Sequence, residues 1–467
     1  MKELLFYNAR IDNQGLAICV SNKDKVVKFT INENQNDING VVSLFSSDKY
    51  IFVGFGNQRL ENPWINSLIA NYSMIVKENL SFPQIIEEMD RLSREIEHGE
   101  VPEEKYMRFF EYIDLSCTEK FKDFNKGIID QAEELKVIQG MYNESKNYIS
   151  FANYIKNKYR LADINMHPHK LIQAALINFI AVETFSTVSE TYKRIKKIKP
   201  LPRIIECLVN PPMRESLRKM LEVRAANIRI GSYEIYTSNS VIRYCKGSFK
   251  LDEESDDIVV QLDVNRFYPS IVVNNEIYPW SCGDYFIKAF KELYDEISSP
   301  ACYGNKDGYK LLKTGLNSIC GSIGNGQSIL FDEVARKAII DFSKKYILSL
   351  VDMILFNDFD VIAINTDAVF IRVNKNKLEL LKKCVKIWES KSKLSLKIKE
   401  YSFFVMRNEC EYIGLADDDF EYEIKGNLFN DKDVFDYFIN KCKPNQKNKA
   451  LMKFLNSLNP KQLNLFE

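Results

Sequence analysis

Two apolar segments that each break at an aspartate constrain this chain more than any other feature. IVVQLDVNRFYPSI brings Asp263 to the end of a strand-like run, and DVIAINTDAVFIRV places Asp367 in a turn between VIAI and AVFIRV. Runs of β-branched residues predict strands, and a short polar step between two such runs predicts a hairpin. A strand end and a hairpin tip are places where two carboxylates can meet over one sheet. Aspartate also forms turns for purely local reasons. Core packing alone, however, does not ask for an aspartate followed by two aromatics, a proline and a serine.

Paired carboxylates suit one kind of chemistry well. They can hold two Mg²⁺ about 3.5–4 Å apart, an arrangement that stabilises both the attacking and the leaving oxygen of an in-line phosphoryl transfer. Between the two aspartates lies KTGLNSICGSIGNG, which sets Lys313 and Asn317 four residues apart, on one face of a predicted helix. A cation and an amide so placed can grip a triphosphate. An Asn-Ser pair inside a helix also serves local hydrogen bonding. Gly321, Gly324 and Gly326 then allow a backbone or a base pair to come close.

Composition narrows the partners. Lys plus Arg and Asp plus Glu number 64 each, so a polyanion must be met by local basic patches and not by a global field. The chain has 467 residues, 45% of them hydrophobic, enough for several cores. Ten cysteines, with no CxxC pair, predict reduced thiols, and no run approaches the roughly 20 apolar residues of a membrane span. The expected location is the cytoplasm, with no membrane partner.

The order of these segments resembles the family B DNA polymerases. DVNRFYPSI is similar to their motif A. KTGLNSICG is similar to motif B, with Cys320 in place of a tyrosine. INTDAVF is similar to motif C, with Asn365 in place of the first aspartate and Ala368 in place of a serine. LKIKEYSFFVMRNECEYIGLADDDFEYEIKG resembles the closing palm segment through Tyr412, Gly414, Lys425 and Gly426, with Cys410 where a lysine is usual. The resemblance implies Asp263 and Asp367 as catalytic residues and ligands of two Mg²⁺, or Mn²⁺ in their place, with help from the Val264 carbonyl. It implies nucleotide contacts from Tyr268, Lys310, Lys313 and Asn317, the Tyr268 ring excluding a ribose 2′-OH. DNA contacts fall to Gly321, Lys397, Lys399 and Tyr412. Asn365 removes a negative charge beside the metals.

The implied fold is α+β and multidomain, a polymerase shaped like a right hand: an exonuclease-like α/β domain over 1–191, a basic, proline-rich linker over 192–213, a palm sheet over 214–281, short helical fingers over 282–326, palm over 327–426, a reduced thumb over 427–461 and a tail over 462–467. LLFYNAR puts Asn8 and Arg10 where an exonuclease carries acids, VGFGNQRLENP offers Glu61 for a second acid, and YRLAD offers Asp163 for a third. An amide and a cation cannot build a carboxylate metal site, so no proofreading is expected. His167 and His169 read as surface residues.

The implied activity is dNTP addition to a primer 3′-OH on primer–template DNA by a compact, phage-like enzyme. Two rivals remain: a catalytically silent polymerase-like protein that binds DNA and clamp, and a reverse transcriptase or other template-dependent polymerase. The terminal QLNLFE resembles a peptide that binds the bacterial sliding clamp, with Gln462 as polar anchor and Leu463, Leu465 and Phe466 as apolar plugs. Replacing Leu465 and Phe466 by alanine should abolish capture of the protein by a bacterial sliding clamp while short-template incorporation persists. Undiminished capture would refute the assignment.

Overall fold

Strict alternation builds the first strand. In β1 (Glu3–Asp12) the side chains of Leu5, Tyr7 and Ala9 enter one core, while Phe6, Asn8 and Arg10 face the other way. β1 pairs antiparallel with β2 (Gly15–Ser21), which pairs antiparallel with β3 (Val26–Ile31), forming a meander. β4 (Tyr50–Gly54) and β5 (Tyr112–Asp114) add in parallel, giving the order β3-β2-β1-β4-β5. Tyr7, Phe45, Phe52 and Phe110 fill the core of this mixed sheet, with the Phe45 and Phe52 rings stacked at 4.2 Å. The computed structural model describes residues 2–426 except 13–14, 23–24, 58–60, 79, 82, 88–90, 92–94, 96–108, 119, 122–123, 125–129, 223–226, 239–240, 252–254 and 417–421. The segments expected as thumb and tail therefore lie outside the described residues.

The chain divides into two units, Met1–Tyr192 with Ala289–Ile319, and Lys193–Lys288 with the chain from Cys320 onward. The stretch read as fingers is thus split, most of it clustering with the first unit. In that unit the helix Gln131–Lys158 starts at Asp130, whose side chain accepts from Ala132 N at 2.9 Å, and it packs on β1 and β2. The helix Pro168–Glu183 follows, with proline in its first turn and the His167 and His169 rings stacked at 5.8 Å.

The basic run expected as linker is helical as far as Lys197, because the first proline that can stop the helix Val188–Lys197 is Pro200. Beyond it, Arg203 anchors the non-helical stretch, pairing with Asp332 at 2.8 Å and donating to the Tyr278 carbonyl at 2.7 Å.

The second unit is built on one antiparallel sheet. Its strands are β6 (Asn227–Ile230), β7 (Tyr233–Ser238), β8 (Val241–Cys245), β9 (Phe249–Leu251), β10 (Asp257–Val264), β11 (Asp360–Asn365), β12 (Ala368–Asn374), β13 (Leu396–Asn408), β14 (Glu411–Ala416) and β15 (Tyr422–Lys425). The described order is β15-β14-β13-β10-β12-β11-β8-β7-β6, with β9 on β13. The long helix Glu333–Phe356 packs on β11, on β12 and on the helices Phe267–Asn274 and Leu378–Ser392. Trp388, fully buried, donates from its indole to Ser349 Oγ at 2.9 Å and ties two of these helices together. A separate cluster of Val259, Phe370, Tyr401, Phe404 and Tyr412 draws its members from strands alone. Among the described residues no single helix is long and apolar enough to cross a membrane.

Candidate active site

β10 is a central strand, with β12 on one side and β13 on the other. Register sets Asp263 opposite Ala368 on β12 and opposite Lys397 on β13. Directly opposed residues of an antiparallel pair project to the same face, so Asp263 and Lys397 share one side of the sheet. The β11–β12 turn closes next to this point. Thr366 takes a left-handed φ of 48°, Asp367 N donates to Asn365 O at 2.5 Å, and Val264 N donates to Asp367 O at 2.9 Å. The two aspartates are thereby fixed at the ends of neighbouring strands, and both are half-buried.

After β10 the chain must turn sharply into the helix Phe267–Asn274. Arg266 absorbs the turn with a φ of 50°, and Pro269 sits in the first turn, where its missing N–H costs nothing. This delivers Tyr268 toward the carboxylates. Burial raises the Tyr268 phenol above its ordinary pKa, and the charge of Asp367 and the Cys320 thiol add to the rise. Burial likewise holds Cys320 as a neutral thiol. Gly321, next in the chain, is exposed, and among the described residues nothing lies within 4 Å of where a Cβ would stand.

Lys310, Lys313 and Asn317 lie on the helix Lys306–Ile323, in the part that belongs to the first unit. All three are exposed along one stripe, while Leu311, Leu312, Leu316 and Ile319 bury the opposite face. Gly315 makes that packing possible, because a Cβ there would stand 2.4 Å from Ile172.

Lys399 and Tyr412 are engaged inside the protein. Lys399 pairs with Glu423 on β15. The Tyr412 hydroxyl donates to Glu423 Oε1 at 3.1 Å, and the Tyr401 hydroxyl lies 2.8 Å from Glu423 Oε2 and 2.7 Å from Gln261 Oε1. Gln261 is two residues before Asp263 on the same face, so this network is a floor beside the carboxylates. Lys397, by contrast, is exposed. Sequence reading passed over Glu423, since its partners come from strand register and not from a motif. Burial pushes the Glu423 carboxyl upward, but Lys399, Tyr401 and Tyr412 outweigh it and hold its pKa below the usual value.

Two carboxylates and a backbone carbonyl match the chemistry of Mg²⁺, which keeps several waters and binds through one or two carboxylates plus substrate phosphates. They do not make an all-protein cage. Among the described residues no group of three or more His, Cys, Asp or Glu side chains is placed to hold a metal.

In the first unit, Asn8 Nδ2 donates to Glu134 Oε1 at 3.1 Å, and Arg10 pairs with Glu134 Oε2 at 2.6 Å. Glu134 is fully buried under these two partners. Asp163 lies elsewhere, lining a cavity of about 410 Å³ with Lys2, Tyr50 and Glu111 at the starting ends of β1 and β4. Glu134 is thus the acid bonded to Asn8 and Arg10 of β1, while Asp163 lies toward the starting ends of β1 and β4. Glu61 begins the helix Glu61–Lys77, next to Asn62, whose Oδ1 accepts from the Tyr7 hydroxyl.

A carboxyl held below its unfolded pKa stabilises the fold above that pKa, and the contribution is lost as pH falls through the folded value. Glu423→Gln should therefore cost about 1–3 kcal/mol at pH 7. The two proteins should converge in stability below the ordinary glutamate pKa of about 4.3. Urea unfolding across pH measures this, and a gap that persists unchanged at low pH would contradict it.

No protein-family model and no curated protein matches the chain. Among solved structures it is similar to the family B DNA polymerase from the hyperthermophilic archaeon Pyrobaculum calidifontis, at 13% identity and a TM-score of 0.46, over 97% of this chain and 64% of that one. The chain thus spans less than two thirds of that polymerase's length.

Proposed function

We propose that this chain is a template-dependent DNA polymerase of the family B type that adds dNTPs to a primer 3′-OH without proofreading. The observation that carries the reading is the pairing of β10 with β12, which brings the aspartates of two separate motifs to adjacent strand ends, with Val264 N bonded to Asp367 O. Asp263, Asp367 and the Val264 carbonyl are the groups that would hold two Mg²⁺, or Mn²⁺ in their place. Bound there, the ions supply charge stabilisation for attack of the 3′-OH on the α-phosphate.

The protein's own contribution is placement. Tyr268, half-buried beside Asp367, forms an apolar wall for the incoming sugar and excludes a 2′-OH. Lys310, Lys313 and Asn317 are assigned to the triphosphate. Gly321 and Lys397 are assigned to the primer–template duplex. For Lys399 and Tyr412 the DNA role is recast as support, since both already serve Glu423. The bacterial clamp is retained as a partner through Gln462, Leu463, Leu465 and Phe466, and would offset a weak intrinsic grip on DNA by keeping the protein near the duplex.

The first unit is assigned as an exonuclease-like domain without exonuclease chemistry. Arg10 places a cation on Glu134, where a metal site needs uncompensated carboxylates. A 3′-labelled mismatched primer incubated with Mg²⁺ and no dNTP should stay full-length.

Primer extension tests the whole reading. Asp263→Asn and Asp367→Asn should each reduce dNTP incorporation by about 10³-fold or more with DNA binding retained. In the same assay Tyr268→Ala should admit ribonucleotides. Incorporation near the wild-type level in either aspartate variant would overturn the catalytic assignment, and a wild-type chain that binds DNA without extending it would favour the silent polymerase-like reading.

A further inference from the structure

Asn365 stands where an acid is expected, and its surroundings give the amide a task that an acid cannot perform. Its Nδ2 donates to the carbonyl of Glu409 at 3.3 Å. Glu409 lies at the tip between β13 and β14, a turn shaped by Asn408, whose Oδ1 accepts from Cys410 N at 2.9 Å and whose Nδ2 donates to Glu411 at 2.9 Å. The same tip is drawn toward β8 by Arg243, which sits opposite Asn365 in register and lies 3.6 Å from the Glu409 carboxylate. The Phe370 and Tyr412 rings, 5.1 Å apart, pack β12 against β14 behind it.

The turn that carries Asp367 is therefore gripped at three places. Thr366 N donates to Ile242 O on β8 at 2.8 Å, and Val264 N on β10 donates to Asp367 O at 2.9 Å. The Asn365 amide reaches the β13–β14 tip. The first two grips are backbone contacts that any sequence can make. The third needs a side-chain donor of this length, and an ionised aspartate offers only acceptors. A carboxylate at 365 would set oxygen against oxygen at Glu409 O, beside the existing charges of Asp263 and Asp367.

From this geometry we infer that Asn365 is a positioning residue: its amide ties the Asp367 turn to the β13–β14 tip, and aspartate at this position weakens the site instead of completing it. The inference rests on the polymerase reading for its functional consequence, but the tie itself is a property of the fold. It also predicts coupling between Asn365 and Asn408, since the second shapes the turn that presents the acceptor.

The test uses the full chain with Asn365→Asp, Asn365→Ala, Asn408→Ala and the double variant Asn365→Ala/Asn408→Ala. Steady-state dNTP incorporation and thermal unfolding in EDTA are measured for each. Both Asn365 variants should lower kcat roughly tenfold, as expected for one lost hydrogen bond at a positioned group, with the dNTP KM within about twofold. Asn365→Asp should also melt below Asn365→Ala without metal. The double variant should be no worse than the poorer single variant, the sign of one shared tie. Incorporation by Asn365→Asp at or above the wild-type level overturns the inference, as do fully additive defects. A wild-type chain with no incorporation sinks the polymerase reading instead. The tie is then judged by unfolding alone, and wild-type stability of Asn365→Asp overturns it.

Discussion

The antiparallel pairing of β10 with β12 is the contact on which the second unit depends. It sets Asp263 opposite Ala368, the residue after Asp367, and the hydrogen bond from Val264 N to Asp367 O continues the ladder past the last strand residue into the turn. Because side chains alternate along a strand, a slip of one residue would send Asp263 into the apolar layer occupied by Leu262 and Val264. That layer makes the slip costly. The same alternation that buries Ile258, Val260 and Leu262 leaves Val259, Gln261 and Asp263 on the opposite face, with the Glu423 network beside them.

Around this pairing polar and aromatic contacts among strands stiffen the face that carries the carboxylates. Phe370, Tyr401, Phe404 and Tyr412 fill the space next to the carboxylates, and the Tyr401 and Tyr412 hydroxyls converge on Glu423. A half-buried carboxylate with three donors is well satisfied, whereas loss of one donor would leave the rest of the network uncompensated. The contrast with the first unit is instructive. There Asn8 and Arg10 satisfy Glu134 internally, so the acid serves packing and is no longer available as a ligand.

The sequence made the central strands legible because they are long, apolar and rich in β-branched residues. The β11–β12 hairpin was readable from Asn365 to Asp367, and the shared face of Lys313 and Asn317 from their spacing of four residues. Other parts were not. β5 and β9 span three residues each, too few for a period to show. Glu134 meets Asn8 across 126 positions, a contact that only the packing of the helix Gln131–Lys158 on β1 creates. Glu423 gains its partners through the registers of β13, β14 and β15. Asn365 was visible as a departure from a pattern, but its hydrogen bond to Glu409 O joins residues 44 positions apart, a contact that no local pattern announces.

The most direct measurement of the central claim is Mn²⁺ binding followed by electron paramagnetic resonance, in the presence of dNTP and without turnover. If Asp263 and Asp367 form one site, Asp263→Asn and Asp367→Asn should each abolish the tight Mn²⁺ signal, and the double variant should lose no more than either single one. Tight binding that survives either substitution, or two losses that simply add, would show that the aspartates do not share their metals and would contradict the account.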